Sequence, residues 1–582
     1  MKGFGFRTLA TILIVFHTMQ AYGITLFKNG RSDYLIVVSP KASVSEKNAA
    51  KELQDYLKQI GGVNLPISHQ AQTNGKHIYV GYNNYLKKMT GVPRPDADDE
   101  GFTYRTIGDN LCIWGGSERG TMYGVFTFLE RELGVRWYAK DCTIIPPQKT
   151  VSLGILNHSE KPAVKYRYFL YSQVDDSDFS IKYFRQNVTS KYIPHTYGTL
   201  KRTWGVHTSE VLIPPKKYFK SHPEYFSLRN NQRIANGQLC LSNKQLLTTT
   251  IENLKAEIRK YPNYWCYDVS QNDNQLFCEC NECHKIEQMY GGHSGIWIWF
   301  VNQIADAISE KFPNKYISTL AYQYTQHAPT NILPRKNILV RLCSIGCCFG
   351  HPINSTCKIN QPFINDLKTW SQLTDNLYIW DYVVDFSHYI MPWPNFNVLA
   401  PNIKTFIEHG SSVVFELGSY QTPGGEFDAL KLYTISKLLW NPNQEVDSIA
   451  KEFIDVYYGK AAKYVYKYFA LCQKLITPNI HLFINTHPND ILYSESFINE
   501  SLNLLEKARK KAENEEIRRR VNLVYLQPLY LQLNRNLETA YRNGNFEKAM
   551  TIIQREKMNI SEGTTAEQYL ENMNFQQTQS LR

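Results

Sequence analysis

The sequence has few long apolar runs. The apolar run Leu9–Phe16 is too short to span a bilayer, and no other stretch approaches the roughly twenty apolar residues that a membrane-spanning helix requires. It also lacks internal repeats, low-complexity tracts and a concentrated basic surface. The net charge of +11 is spread along 582 residues, and Lys507–Arg520 interleaves glutamate with lysine and arginine at helical spacing, which is typical of a solvated helix face. We therefore expect neither a transmembrane segment nor a nucleic-acid partner.

The N-terminus has the pattern of a secretory signal. Lys2 and Arg7 form the positive region, Leu9–Phe16 the apolar region, and residues 21–23 the small-x-small cleavage site. This pattern predicts a signal peptide over residues 1–23. Because no cysteine stands at the cleavage point, a bacterial lipid anchor is not indicated. We expect an exported protein, either periplasmic or extracellular.

The composition is that of a folded protein rich in aromatic side chains. Hydrophobic residues make up 43% of the chain and charged residues 20%, which argues against disorder. The 39 Tyr, 28 Phe and 10 Trp exceed what a core requires. Aromatic rings stack on the apolar faces of sugars, so this excess favours a carbohydrate site, although tyrosine-rich surfaces serve other partners too.

The pattern of apolar runs predicts three regions after the signal peptide. Residues 24–155 alternate strand and helix patterns and predict a small α/β domain. Residues 156–445 alternate eight apolar runs with helical patterns, which predicts a (β/α)8 TIM barrel. Residues 446–582 read as a helical C-terminal region. The eight predicted barrel strands are Val164–Tyr171, Thr203–His207, Gln238–Leu241, Tyr264–Val269, Tyr316–Tyr322, Ile338–Leu342, Asn376–Asp381 and Ser412–Glu416.

The ends of these strands carry the candidate catalytic residues. Tyr264–Val269 is followed by Gln271–Asn274, which contains Asn272 and Asp273. Asn-Asp-Asn is also ordinary turn composition. Several acids and aromatics at the ends of different strands of one barrel are typical of a glycoside hydrolase, in which one carboxyl protonates the leaving oxygen. The other candidate residues at strand ends are Tyr322 after the fifth strand, Trp380, Asp381 and Tyr382 at the end of the seventh, and Glu416 at the end of the eighth.

Further aromatic and histidine residues are candidates for substrate contact. The segment Trp380–Pro394, with Trp393, could form a sugar platform or could pack a long loop. His207 and His388 are assigned to substrate contact, although a histidine in a loop is often only a hydrogen-bonded polar residue.

Twelve cysteines in an exported protein raise the question of disulfides. Cys278, Cys280 and Cys283 have the Cys-x-Cys-x2-Cys spacing of a metal-binding knuckle, with His284 or Cys266 as a fourth ligand for a structural zinc. A disulfide that pins the loop and free thiols are the alternatives. No other cofactor is expected.

Two stretches resemble known families. Residues 113–141 (IWGGSERGTMYGVFTFLERELGVRWYAKD) resemble the small N-terminal domain of β-hexosaminidases and α-glucuronidases, in which this phrase does no chemistry. The phrases HPEYFSL, CLSN, VSQNDNQLFCECNEC, WDY with PWPN, and FELGSY with KLYTISKLLWNPN, spread over about residues 165–445, resemble the domain of unknown function 4838. That domain has been reclassified as glycoside hydrolase family 163.

The second resemblance implies an activity. Characterised members of that family resemble endo-β-N-acetylglucosaminidases that release complex N-glycans from glycoproteins, and such exported enzymes are typical of gut Bacteroidetes. The implied mechanism is substrate-assisted retention, in which the 2-acetamido carbonyl attacks the anomeric carbon. Asn272 and Asp273 match the adjacent polar pair at the end of the fourth strand. The hypothesis is that Asp273 orients the acetamido group or donates the proton, that Glu416 completes the pair, and that Tyr322 and Asp381 bind the reacting sugar.

Three alternatives to this reading stay open. One is an α-glucuronidase-like exo-acting hydrolase, for which Arg335 and Arg341 are candidates to bind a uronate. A second is a non-catalytic glycan-binding protein on a barrel scaffold. The third is a metalloenzyme, since the cysteine-rich loop follows the strand that ends in Asp273.

Overall fold

A computed structural model of the chain describes residues 23–173, 178–189, 201–565, 568, 569 and 572. The predicted signal peptide lies outside these residues except for Gly23. No helix in the part of the chain that the structure describes is both long and apolar enough to cross a membrane.

The secondary structure alternates strands and helices up to about residue 417 and is mostly helical afterwards. The strands are β1 Ile24–Lys28, β2 Tyr34–Val38, β3 Ile67–Ser68, β4 Lys76–Val80, β5 Phe102–Ile107, β6 Asn110–Gly115, β7 Arg136–Ala139, β8 Cys142–Ile144, β9 Thr150–Leu153, β10 Asn157–Glu160, β11 Tyr166–Leu170, β12 Val188–Thr189, β13 Lys201–Trp204, β14 Leu228–Arg229, β15 Gln232–Arg233, β16 Cys266–Asp268, β17 Tyr316–Ala321, β18 Ile338–Cys343, β19 Leu377–Tyr382, β20 Ser411–Leu417, β21 Asn559–Ser561 and β22 Thr564–Thr565. The α-helices are α1 Val44–Gly61, α2 Asn84–Thr90, α3 Gly120–Glu132, α4 Asp178–Lys182, α5 Ser209–Leu212, α6 Pro215–Tyr218, α7 Lys244–Lys260, α8 Asn281–Tyr290, α9 His293–Ser309, α10 Gln361–Leu373, α11 Phe396–Glu408, α12 Asp428–Trp440, α13 Val446–Tyr457, α14 Ala462–Gln473, α15 Glu495–Lys511, α16 Glu515–Arg535, α17 Leu537–Arg542 and α18 Asn545–Glu556.

The first compact unit contains the described residues up to Gly134 together with Ile145–Glu160. Its six-stranded mixed sheet has the order β10-β5-β6-β4-β2-β3, and α1 and α3 pack together beside it. Helix α1 begins with a capping box, because Ser43 Oγ accepts from the Glu46 backbone N–H and the Glu46 carboxylate accepts from the Ser43 N–H at 2.9 Å. The helix ends at Gly62, whose φ of 72° favours glycine.

The second compact unit contains Val135–Ile144 and the described residues from Lys161 onward, and its centre is an eight-stranded sheet. The strand order is β11-β20-β19-β18-β17-β16-β13-β12, and every neighbouring pair is parallel. β11 is the first strand of this sheet along the chain and β20 is the last, and the two are paired. This is the strand order of a (β/α)8 barrel. Among the described residues the hydrogen-bonded ladder does not close between β11 and β12. The sheet is thus a curled, parallel half-barrel, and the predicted closed TIM barrel is confirmed only in its strand order.

The predicted second and third strands need correction. The second position is taken by β12, which was missed because two residues show no alternation of apolar and polar side chains. The run Thr203–His207 overlaps β13 and holds the third position. Gln238–Leu241 lies outside the sheet, since Leu239 forms only an isolated bridge with Phe226.

The helices after the sheet share its hydrophobic core. Helices α12 to α16 pack each against the next, and α18 packs against α16. A single buried cluster contains Leu342 of β18, Phe415 of β20, Phe453 of α13 and Leu526 of α16. The antiparallel hairpin β21-β22 follows α18, within the region that was expected to be helical. This packing fixes the hairpin and the segment between α14 and α15 beside the sheet.

Candidate active site

A cavity of about 570 Å³ opens at the carboxyl ends of the parallel strands. Its walls come from alternate residues of the strands, because side chains two apart on a strand share one face. Aromatic rings dominate the lining, which favours sugar binding. The cavity is lined by Tyr168, Leu170, Thr203, Trp204, Gly205, Val206, His207, Tyr264, Asp273, Leu320, Tyr322, Arg341, Cys343, Ile345, Tyr378, Trp380, Tyr382, Phe386, Phe415, Leu417, Tyr420, Ile484 and Glu562.

Asp273 presents an exposed carboxylate to this cavity. Gln323 Nε2 donates to Asp273 Oδ1 at 3.0 Å and lies 3.0 Å from Tyr322 Oη. Gln323 has a φ of 50°, a conformation that a residue with a side chain adopts at a cost. Burial raises the pKa of Tyr322 to about 12, and the nearby Asp273 carboxylate adds to this shift. Asp273 and Tyr322 therefore form a fixed polar pair at the cavity wall.

Asn272 positions this pair and does not line the cavity. Its side chain donates to the Gly237 carbonyl at 3.0 Å and accepts from the Glu210 backbone N–H at 3.2 Å. Gln238 makes two hydrogen bonds to the backbone of the same loop. Its Nε2 donates to the Asn272 carbonyl at 2.8 Å, and its Oε1 accepts from the Asn272 N–H at 3.0 Å. The Asn272 side chain thus holds the loop that carries Asp273, and its catalytic role stays a prediction.

Glu562 supplies a second carboxylate to the cavity from the hairpin β21-β22. Tyr420 Oη donates to Glu562 Oε1 at 2.8 Å, and the Glu562 backbone N–H donates to the Phe386 carbonyl at 2.9 Å. Burial chiefly raises the pKa of Tyr382, and both Glu562 and Asp273 raise it further. Tyr382 thus lies within electrostatic reach of both carboxylates. Sequence reasoning missed Glu562 because it follows no predicted strand.

Arg341 forms a cationic part of the cavity wall. One guanidinium nitrogen lies 3.6 Å from the Asp268 carboxylate and the group packs 4.9 Å from the centre of the Tyr378 ring. Nη1 donates to the Gly205 carbonyl at 3.4 Å. Nε and Nη2 are buried and have no hydrogen-bond partner among the described residues. Arg335, the other arginine considered for a uronate, is instead half-exposed and paired with Asp306 outside the cavity.

Asp381 and Glu416 do not reach the cavity. Trp380 and Tyr382 of β19 line it, so Asp381 between them points to the other face of the sheet. The same alternation turns Glu416 away from the cavity. The two residues are register partners in adjacent strands and are 3% and 1% exposed. Burial raises the pKa of Asp381 to about 6, and burial with the Asp381 charge raises that of Glu416. The structure therefore does not bring Glu416 to Asp273 as a second catalytic carboxylate, nor Asp381 to the cavity as a sugar-binding residue.

The other residues that were predicted to contact substrate fall into two groups, those that line the cavity and those that pack elsewhere. His207, Trp380 and Tyr382 line the cavity. His388 does not: its Nδ1 lies 2.8 Å from Tyr530 Oη, and burial lowers its pKa to about 4. Trp393 is fully buried and its Nε1 donates to the Phe483 carbonyl at 2.9 Å, so it packs the loop after β19.

Cys278, Cys280 and Cys283 come together, and Cys240 joins them. The sulfur atoms of Cys240 and Cys280 are 3.7 Å apart and those of Cys240 and Cys283 are 3.9 Å apart. With Zn–S bonds of about 2.3 Å, a tetrahedral zinc site has an S···S edge of about 3.8 Å, whereas a disulfide bond measures about 2.05 Å. The geometry fits a metal.

The two fourth ligands considered from the sequence lie elsewhere. The His284 side chain is 65% exposed and faces Glu287, and Cys266 is buried within β16. Cys240 is the fourth cysteine of the cluster, because its segment Gln238–Leu241 packs against the cysteine-rich loop. The Gln238 N–H donates to the Leu276 carbonyl of that loop at 3.0 Å.

The second unit, with its parallel half-barrel and cavity at the strand ends, has a glycoside hydrolase-like fold. A solved structure, a family GH115 4-O-methyl-α-glucuronidase with specificity for decorated arabinogalactans, superposes with a TM-score of 0.60 at 13% identity over 92% of this chain and 77% of that one. The chain belongs to the family described as Domain of unknown function (DUF4838), whose model matches residues 137–470.

The first unit has its own relatives. Residues 30–128 match the glycosyl hydrolase family 67 N-terminus. A probable α-glucuronidase A of Neosartorya fischeri is 29% identical over 98 residues, which cover 16% of this chain and only 12% of that protein. The DUF4838 and α-glucuronidase-like resemblances are thus confirmed, while membership of glycoside hydrolase family 163 stays a prediction.

Proposed function

We propose that the chain is a glycoside hydrolase whose active site is the aromatic cavity, with Asp273 and Glu562 as its two carboxylates. The observation that carries the proposal is that both carboxylates line one cavity and both act on Tyr382. Glycoside hydrolases commonly place two carboxyl groups around the scissile bond, one to protonate the leaving oxygen and one to manage charge at the anomeric carbon. The stacked rings of Trp380 and Tyr382, 6.4 Å apart, supply a sugar-binding wall beside them.

The first candidate substrate is a β-linked N-acetylglucosamine within a complex N-glycan, cut in endo fashion. Asp273 and Tyr322 support it, because an acetamido group that attacks its own anomeric carbon needs polar neighbours to orient it. In this scheme the Asp273 carboxylate accepts a hydrogen bond from the acetamido N–H. The Glu562 carboxyl group, oriented by Tyr420, protonates the leaving oxygen. The resemblance of the barrel phrases to N-glycan-releasing enzymes favours the same linkage.

The second candidate substrate is a terminal uronic acid, removed in exo fashion. Arg341 favours it, because a buried guanidinium at a cavity wall, with two nitrogens that have no hydrogen-bond partner among the described residues, suits a carboxylate. The match of the first unit to α-glucuronidase N-termini agrees with this candidate.

The two candidates are separated by their products. The full chain is incubated with a complex-type N-glycoprotein, followed by mass spectrometry of glycans and protein, and in parallel with an oligosaccharide that carries a terminal 4-O-methyl-glucuronate. Glycans that end in one reducing GlcNAc, with the other GlcNAc left on Asn, support the first candidate. Free uronic acid supports the second. Tight glycan binding without any release would favour a non-catalytic binding protein and contradict both.

Glu562→Gln is expected to lower kcat by about 10²–10⁴-fold, the usual loss when a positioned proton donor is removed. Tyr420→Phe keeps the carboxylate but removes its 2.8 Å hydrogen bond, so a loss of about 2–10-fold is expected. Steady-state kinetics on the substrate identified above measures both. Glu538→Gln is the control, since Glu538 pairs with Arg542 on an exposed helix. A kcat for Glu562→Gln within threefold of wild type would remove Glu562 from the active site.

Arg341→Lys distinguishes the uronide candidate by its effect on specificity. Lysine keeps a positive charge near Asp268 but loses the fork of donors, so kcat/KM on a uronide is expected to fall about 10–100-fold, as for a lost charged hydrogen bond. Hydrolysis of a neutral glycan should change less than threefold. Arg335→Lys serves as the matched control on an exposed ion pair. Equal losses on both substrates would mean that Arg341 only supports the fold.

A further inference from the structure

A second cluster of metal-ligating side chains lies beside the cavity wall. It consists of Cys348, His351 and Cys357 in the loop after β18, and His481 in the segment after α14. All four ligand atoms lie within 4.8 Å of one another. His481 is 124 residues beyond Cys357, so no local spacing motif indicates this cluster.

The separations match a tetrahedral site. Cys348 Sγ lies 3.3 Å from His351 Nδ1 and 3.4 Å from His481 Nδ1, and Cys357 Sγ lies 3.7 Å from His481 Nδ1. With Zn–S bonds of about 2.3 Å and Zn–N bonds of about 2.0–2.1 Å, the S···N edge of a tetrahedron is about 3.6 Å. Two thiols and two imidazoles form a common zinc ligand set.

The surrounding groups orient the ligands toward a common centre. His351 Nε2 lies 3.0 Å from the Thr477 carbonyl, and because a carbonyl can only accept, this nitrogen carries the proton and Nδ1 presents its lone pair to the cluster. Buried Asn360 shapes the loop: its Oδ1 accepts from the Cys348 N–H at 2.7 Å and its Nδ2 donates to the carbonyls of Cys348 and His351 at 3.1 Å each. A hydrogen bond from the second ring nitrogen of a ligating histidine to a carbonyl, as His351 makes, is typical around bound zinc.

We propose that Cys348, His351, Cys357 and His481 bind a structural zinc ion. Four protein ligands close the coordination sphere and leave no position for a substrate, so the ion holds the fold and takes no part in hydrolysis. It joins the loop after β18 to the segment after α14, which also meet where the Phe349 N–H donates to the Leu482 carbonyl at 2.8 Å. Each of these segments contributes an isoleucine to the cavity wall, Ile345 and Ile484. The zinc thereby fixes two parts of the cavity wall that are distant in sequence.

The tetrad Cys240, Cys278, Cys280 and Cys283 independently carries a second structural zinc. Its sulfur separations match a tetrahedron, and the Leu228 backbone N–H donates to Cys278 Sγ at 3.3 Å, an interaction that stabilises a thiolate. The chain therefore holds two zinc ions at separate sites.

Elemental analysis and native mass spectrometry of the purified full chain test both sites. We expect two zinc ions per chain, one zinc in His481→Asn and one in Cys280→Ser. His487→Asn is the matched control, an exposed histidine in the same segment as His481, and it should keep both ions. A wild-type content of two zinc ions supports both sites, and a content of none contradicts both, even if a variant fails to fold.

Two results would overturn the Cys348 site. One is a single zinc in wild type that is lost in Cys280→Ser and kept in His481→Asn. The other is an intact mass about 2 Da below that of the fully reduced chain, together with a peptide that contains a Cys348–Cys357 disulfide and no bound zinc. Wild-type protein without zinc after purification in zinc-supplemented buffer would overturn both sites. None of these readouts depends on the proposed glycosidase activity.

Discussion

Asp273→Asn is expected to lower kcat by about 10²–10⁴-fold while leaving the fold intact. The substitution keeps the shape of the side chain and removes its negative charge. Asparagine can still contact Gln323, which donates to Asp273 Oδ1 at 3.0 Å, so the loop should stay in place. The carboxylate that orients the reacting group or accepts its proton is lost. Steady-state kinetics with a matched melting curve measures this effect.

Asp306→Asn is the control for this experiment. Asp306 is half-exposed, pairs with Arg335 and lies outside the cavity, so its loss should leave kcat unchanged. Activity of Asp273→Asn within tenfold of wild type would show that Asp273 is not an essential catalytic group, and a large drop in its melting temperature would assign it to the scaffold.

Lys431→Met is expected to destabilise the second unit by about 3–5 kcal/mol, because it leaves the buried Glu426 carboxylate without its ion-pair partner. Both side chains are 1% exposed. Lys431 Nζ also donates to the Val383 carbonyl at 3.1 Å and the Trp393 carbonyl at 3.4 Å. Burial raises the pKa of Glu426 to about 7, opposed by Lys431. Urea unfolding followed by circular dichroism measures the loss.

The controls separate the buried pair from an ordinary surface pair. Lys451→Met breaks an exposed i,i+4 pair with Asp455, and a change below about 1 kcal/mol is expected. Removing both charges with Glu426→Leu and Lys431→Met should recover most of the loss, since no unpaired charge then remains buried. A double variant as unstable as Lys431→Met would show that packing of the Lys431 side chain, and not charge, dominates.

The sequence was sufficient for the long strands of the sheet and for part of the cavity. The long strands β17 to β20 have apolar runs that predict their position, and Asp273, Tyr322, Trp380 and Tyr382 do line the cavity. Neighbouring residues of a strand, however, point to opposite faces. Trp380, Asp381 and Tyr382 therefore cannot all face one cavity, and the aromatic neighbours of Asp381 are the signal that could have corrected its prediction.

Residues that come from distant segments could not be predicted. Glu562 reaches the cavity through a hydrogen bond to Tyr420, 142 residues earlier, and His481 meets Cys348 across 133 residues. No local periodicity records such contacts, which depend on how α12 to α18 pack beside the sheet. Cys240 was missed for a related reason, because its segment was assigned to the sheet and so placed away from the cysteine-rich loop.

Release of new reducing ends from a mixed panel of complex N-glycoproteins and uronate-bearing oligosaccharides, compared between the full chain and its Asp273→Asn variant, tests the central claim most directly. A glycoside hydrolase that works at this cavity releases reducing ends with at least one member of the panel, and the Asp273→Asn variant releases them at least 100-fold more slowly. Equal release by both proteins, or glycan binding by the wild-type chain without any release, would contradict the assignment of this cavity as a glycosidase active site.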